Sequence, residues 1–263
     1  MESHPSLAVS RAGGAAKIEF NRPEVLNALD LETSKALLEL LEMLSRDDQV
    51  RAVLITGRGR AFSAGADIAS EFGGEAERSA LEQNLRAITA PTIRAMRDMP
   101  KPLIAAVNGP AAGVGCSMAL AADLVLAADS AFFLLAFANI GLTPDGGASL
   151  TVAARVGLGR AFVLALLAER LSAAEAVSWG LADRLVADAE LADVADALVR
   201  RLADGPTRSY AATKQAINRS VLSGLADALE TETRLQAELS LSDDFIEGTA
   251  AFAAKRPARF TGR

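Results

Sequence analysis

One acid stands among small residues in the stretch LTPDGGAS, residues 142–149. A carboxylate such as Asp145 can carry a proton between two atoms of a substrate, provided that the charge developing on a neighbouring oxygen is held. Two glycine-rich stretches have the composition to hold it. Residues 60–68, RAFSAGADI, follow the apolar run VRAVLITG, and residues 108–119, NGPAAGVGCSMA, follow PLIAAVNG. Small residues let backbone N–H groups come close to a ligand oxygen, and a helix start adds the positive end of its dipole. Each feature also has a plain structural reading. Asp145, after a proline and before two glycines, suits a turn or a cap for the helical pattern GASLTVAARVG, and both glycine-rich stretches suit tight strand exits. Gly113-Val114-Gly115 resembles a dinucleotide fingerprint as well, but it lacks the third glycine and does not open the first βαβ unit.

The remaining composition narrows the chemistry. His4 is the only histidine and lies near the N-terminus, which removes Ser-His-Asp, Cys-His and multi-histidine metal sites. Proton transfer falls to a carboxylate, a lysine or a tyrosine. Cys116 is the only cysteine, so an internal disulfide is impossible, no thiolate metal site is expected and a cytoplasmic location is. Net charge is −6 and basic residues are nowhere interleaved with aromatic ones, so no nucleic-acid partner is expected. No run reaches the roughly 18 apolar residues of a membrane span, and MESHPSLAVS lacks the character of a signal peptide, so neither is a membrane partner.

The elements that must position these groups read as α/β. Short β-rich runs occur at SLAVSR, AAKIEFN, VRAVLITG, PLIAAVNG, DLVLAAD and AFFLL, bounded by Gly, Pro, Asn or Asp. Helical patterns separate several of them, and crossovers of that kind imply partly parallel strands. Leu31 to Leu44 repeats apolar residues at helical spacing, with Asp30 as N-cap, and LEQNLRAITAPTIRAMRDM reads as a helix kinked or divided at Pro91. After Leu135 the patterns are helical. Trp179, Tyr210, Phe132 and Phe133 read as packing residues. The charged stretch 69–84 reads equally as a flap over a pocket or as a solvated loop, with Glu71, Glu75 and Glu77 in reserve as further acids.

In order and spacing, NRPEVLNAL, RAFSAGADI, NGPAAGVGCSMALAADLVLA, IGLTPDGG and the ending EGTAAFAAKRPARF resemble the crotonase family, the enoyl-CoA hydratase and isomerase superfamily. The resemblance covers nearly the whole chain. It implies a crotonase (ClpP-like) ββα spiral over residues 1–205 and a C-terminal helical oligomerisation region over 206–263, assembled as a homotrimer or homohexamer. It implies an acyl-CoA thioester substrate, with no cofactor beyond the coenzyme A of that substrate. By the same resemblance the oxyanion donors fall on the backbone N–H groups of Ala64 and Val114, next to Gly113. Leu26 and Ala28 fall on the CoA channel, and Ala66, Asp67 and Ile68 fall near the adenine. Phe252 and Lys255 would reach a neighbouring subunit's CoA.

The departures from the family pattern carry most of the information about the reaction. Family hydratases place two glutamates at the positions held here by Ser117 and Phe137. Ser117 could hold a water but is a poor base, and Phe137 can do neither job. Several members lacking that pair carry an aspartate where Asp145 stands, among them proteins resembling 1,2-epoxyphenylacetyl-CoA isomerase and Δ3,Δ2-enoyl-CoA isomerases. The resulting expectation is an isomerase moving a double bond from the 3- to the 2-position, with Asp145 as its one acid/base. A hydratase, a ring-opening isomerase of an epoxidised aromatic acyl-CoA and a non-catalytic binding protein of the same fold remain alternatives.

Overall fold

The computed structural model describes residues 4–68 and 75–263. All six expected β-rich runs form strands: β1 (Leu7–Ala12), β2 (Ala15–Phe20), β3 (Ala52–Gly57), β4 (Leu103–Val107), β6 (Leu124–Ala128) and β7 (Phe132–Leu134). Three very short strands complete the set, β5 (Ala111–Ala112), β8 (Leu171–Ser172) and β9 (Arg184–Val186). The main sheet runs β1-β2-β3-β4-β6-β9, antiparallel between β1 and β2 and parallel thereafter. A small second sheet, β5-β7-β8, stands apart from it. β3 and β4 are buried along their whole length, which is why they read as continuous apolar runs rather than alternating ones.

Helix α1 (Leu31–Arg46) buries Leu37, Leu40, Leu41 and Leu44, and the Asp30 carboxylate accepts from Thr33 N–H at 2.8 Å, the expected cap. The helix expected to break at Pro91 is interrupted just before it. Glu75–Asn84 (α2) passes through a π turn, Leu85–Thr89, into α3 (Ala90–Asp98). A widened turn tolerates the N–H that Pro91 lacks, and Thr92 Oγ1 donates to the Ile88 carbonyl at 2.7 Å beside it.

The chain then turns helical: α4 (Val114–Leu120), α5 (Ala148–Val156), α6 (Leu158–Leu167), α7 (Ala173–Trp179), α8 (Leu191–Ala203), α9 (Thr207–Val221), α10 (Leu225–Leu239) and α11 (Asp243–Ala253). Helix α8 packs on β3 and β4, and α10 lies against α2 and α5. Buried Lys214 of α9 ties that helix to the core through Asp123 at 2.9 Å and the Met96 carbonyl at 2.7 Å. The C-terminal helices therefore reach back onto the core, and one of them meets the loop that carries Asp145.

Candidate active site

The first half of the site is backbone. Leu26 and Asn27 both adopt the left-handed region, at φ 57° and 56°, a conformation that persists only where surroundings enforce it. The enforcement comes from the Asn27 side chain, which accepts from Arg22 N–H at 2.9 Å and donates to the Arg58 and Ala61 carbonyls at 3.0 and 2.8 Å. Ser63 Oγ donates to the Asn27 carbonyl at 2.9 Å and accepts from Gly65 N–H at 3.2 Å. The loop leaving β3 is thereby stapled to the segment before α1.

That stapling corrects one expected donor. Ala64 N–H donates to the Leu26 carbonyl at 2.9 Å, so it is spent on the loop pairing. Leu29 bonds to the residues on either side of Ala66: its N–H donates to the Gly65 carbonyl at 2.8 Å and its carbonyl accepts from Asp67 N–H at 2.9 Å. A parallel bridge uses the flanking residues and skips the one between. Ala66 N–H consequently has no acceptor among the described residues, so the open N–H of this segment lies at Ala66 rather than at Ala64.

Val114 opens α4, at a position where an N–H has no partner within the helix. Gly113 makes the turn into it, at φ 52°. Gly65 and Gly113 touch: a Cβ on Gly65 would lie 2.7 Å from the Ala112 carbonyl oxygen, and a Cβ on Gly113 would lie 3.8 Å from Gly65 Cα. The open N–H groups of Ala66 and Val114 each follow one of these two glycines. Small residues here are a condition of closeness.

The carboxylate half lies one helical turn away. Ser117 is fully buried on α4, and its hydroxyl donates to the Asp145 main-chain carbonyl at 2.8 Å. Its proton is therefore committed to the turn that carries Asp145, which Ser117 fastens to α4. A Cβ on Gly146 would sit 2.8 Å from Ser117 Cβ, so this turn packs directly on α4. Replacing Ser117 by Ala is expected to lower kcat by roughly tenfold through loss of one buried hydrogen bond that positions the acid, with KM little changed, in steady-state assays.

The capping reading of Asp145 is replaced by a cap from elsewhere in the chain. Asp145 offers its main-chain carbonyl to Ala148 N–H at 3.2 Å, and the side-chain cap of α5 comes from Glu232 of α10. Glu232 accepts from Gly147 N–H at 2.7 Å and from Ser149 N–H at 2.8 Å. Gln236, one turn further along α10, donates to the Thr143 carbonyl at 2.5 Å and to Asp145 Oδ2 at 3.4 Å. Asp145 itself is only 9% exposed.

Burial pushes the Glu232 carboxyl above the usual range, opposed by its hydrogen bonds from Ser149 and Gly147. A raised folded-state value means that the native state holds the proton more tightly, so this group's contribution to stability is fullest at low pH and declines as pH rises through that value. Glu232→Gln is expected to remove the pH-dependent part and to cost about 1–3 kcal/mol near neutrality, because an amide cannot accept both N–H bonds. Denaturant titrations of both proteins across pH 4 to 8 check this, a window spanning about the usual glutamate value and the region above it.

The other expected site residues fall in several places. Phe137 is buried in the 3₁₀ turn Ala136–Ile140, and Leu142 is buried beyond it. Ala28 is buried and its carbonyl accepts from the Arg22 guanidinium at 2.7 Å. Asp67 forms an ion pair with Arg22 at 3.1 Å, and Arg22 also meets Asp30 at 3.1 Å, while Ile68 packs partly buried against the core. Phe252, near the end of α11, and Lys255, just beyond it, are both exposed. Glu71 lies outside the described residues, as do the side chains of Glu75 and Glu77. Cys116, in α4 itself, stays a thiol because burial pushes its pKa up to about 12.

Glu232 and Gln236 escaped the sequence reading. The signal was present in α10, whose buried stripe is Leu229, Glu232, Thr233 and Gln236. Polar residues continue a stripe that begins as apolar, and buried polar groups need partners.

The sequence matches the family described as enoyl-CoA hydratase/isomerase over residues 10–263. A protein of Rhodobacter capsulatus named probable enoyl-CoA hydratase is 41% identical over 99% of this chain and 100% of its own length. The 1,2-epoxyphenylacetyl-CoA isomerase of Escherichia coli is 40% identical, over 95% of this chain and 96% of its own. The crystal structure of an enoyl-CoA hydratase from Mycobacterium avium subsp. paratuberculosis superposes with a TM-score of 0.90 at 42% identity, covering 97% of this chain and 98% of that one.

Proposed function

The chain belongs to the enoyl-CoA hydratase/isomerase family, and within it we propose that this protein is an acyl-CoA isomerase converting 3-enoyl-CoA to 2-enoyl-CoA. The observation that carries the proposal is the pairing of one carboxylate with two open donors. Asp145 sits on a turn fastened by Ser117 one helical turn after Val114, while the positions of the hydratase glutamates hold Ser117 and Phe137.

The mechanism follows from those groups. The thioester oxygen accepts from Ala66 N–H and Val114 N–H, which gain strength as the oxygen becomes enolate-like. Asp145 takes a proton from C2, the C2–H electrons flow into the allylic system, and the dienolate is held on the oxygen. The same carboxyl, now protonated, returns the proton to C4 and the conjugated 2-enoyl thioester results. Asp145 is itself buried, which keeps water from competing. The reaction requires no cofactor, since coenzyme A arrives with the substrate.

Ring opening of an epoxidised aromatic acyl-CoA is a second reading, favoured by the 40% identity to the E. coli isomerase. It uses the same acid/base and donors. Hydration is disfavoured by the commitment of the Ser117 hydroxyl to the Asp145 carbonyl. The purified protein offered matched 3-enoyl-CoA, 2-enoyl-CoA and epoxidised phenylacetyl-CoA substrates separates the readings. Conversion of the first alone supports the double-bond isomerase, and hydration of the second with no conversion of the first removes it.

The proposed setting is cytoplasmic, in a homotrimer or homohexamer, with Phe252 and Lys255 directed to a neighbour's CoA. Among the described residues no helix is long and apolar enough to cross a membrane. Self-association is supported by α6, where Leu158, Phe162, Val163, Leu166 and Leu167 are all exposed, since monomers seldom leave so continuous an apolar face in water. Leu166→Asp is expected to shift the particle toward the monomer mass in light scattering, and an unchanged mass would place the interface elsewhere.

A further inference from the structure

We propose that Gln236 is a positioning residue for Asp145, holding the catalytic carboxylate and the turn beneath it through the two hydrogens of one carboxamide. The proposal rests on the reading of Asp145 as the acid/base. It deepens that reading by assigning the control of the acid to α10, in the C-terminal helices, rather than to the loops around the oxyanion donors.

The identity of the donor atom is set by its surroundings. Two acceptors face it, the Thr143 carbonyl at 2.5 Å and Asp145 Oδ2 at 3.4 Å, so the atom between them must be nitrogen. The other end of the same carboxamide, Gln236 Oε1, is buried and has no hydrogen-bond partner. Gln236 is 1% exposed, so this orphan acceptor has no bulk water to turn to. A buried unpartnered acceptor is costly and calls for a reason. The reason is at the nitrogen end: any rotation that satisfied Oε1 would withdraw the hydrogens from Thr143 and Asp145.

Gln236 does not act alone on this segment. Four residues earlier on the same face of α10, Glu232 accepts from Gly147 and Ser149 N–H. The two side chains therefore grip the turn on both sides of Asp145, Gln236 at Thr143 and Asp145, Glu232 at Gly147 and Ser149. Ser117 fixes it from α4 through the Asp145 carbonyl. Gln236 also touches the carboxylate itself, at Oδ2, and that contact distinguishes setting the acid from merely shaping its turn.

The test is a double-mutant cycle with 3-hexenoyl-CoA, using the whole chain. Gln236→Met removes both hydrogens at nearly constant shape and is expected to lower kcat by about tenfold while KM stays within about twofold, the signature of an interaction that matters on the way to the transition state. In the Asp145→Asn background the same change is expected to cost nothing further, since the group it positions is gone. Should Gln236→Met not fold, Gln236→Leu likewise removes both hydrogens without adding a charge and carries the same expectations. An unchanged kcat in the folded variant, or losses that multiply in the double variant, overturns the role of Gln236 and leaves the isomerase reading standing. A wild-type protein that binds the substrate yet neither isomerises it nor exchanges its C2 hydrogen with solvent overturns both together.

Discussion

Asp145→Asn is expected to lower kcat for 3-enoyl-CoA isomerisation by a factor of about 10³, within the usual range for loss of a general acid/base, and to leave acyl-CoA affinity within a few-fold of wild type. The size follows from the absence of a substitute. Ser117 spends its hydrogen on the Asp145 carbonyl, Phe137 has no acid to offer, and Glu232 is already committed to Gly147 and Ser149. Asn keeps the shape and can stay beside Gln236, so the fold should persist. Stopped-flow or steady-state rates measured next to a binding titration separate the two effects. A variant that loses binding and rate in parallel would make Asp145 a structural residue of its turn.

The second large effect is expected at a residue with no side chain. Gly65→Ala places a methyl group 2.7 Å from the Ala112 carbonyl oxygen at a residue whose φ is 91°, and neither the contact nor the conformation suits alanine. The loops carrying Ala66 and Val114 must separate, and the two N–H groups cease to converge. Loss of one such donor typically costs 10²–10³ in rate, and about that loss in kcat is expected here, with a melting temperature that falls by far less than the rate. The corresponding change at Gly157, whose added Cβ would meet nothing within 4 Å, controls for backbone strain alone, since its φ of 79° is also left-handed. Equal rates for the two variants would remove the Gly65–Gly113 contact from the mechanism.

The sequence was most legible where a local pattern decides the outcome. The run VRAVLITG had to be a buried strand, and Asp30 followed by a leucine stripe had to start a helix, because each rests on neighbours in the chain. β5, β8 and β9 were invisible since two or three residues without a longer apolar run around them, such as AFFLL gives β7, carry no period. The open N–H of the loop after β3 was legible to within two residues. SAGAD offers small residues throughout, but which N–H stays open depends on how the segment pairs with Leu26 and Leu29, a register set by distant contacts. Asp145 stood out because glycines and proline isolate it. Its supports did not, since Glu232 meets Gly147 across 85 positions of sequence. What could have pointed to them is the polar continuation of a buried stripe in α10, which declares a partner without saying where it is.

The most direct test of the central claim follows one hydrogen. 3-Enoyl-CoA deuterated at C2 is converted in ordinary water and the product is analysed at C4 at low conversion. A single buried carboxyl that takes and returns the same proton predicts deuterium at C4 with wild type. Solvent hydrogen alone at C4 from the first turnovers would contradict it and would require a second acid in contact with water.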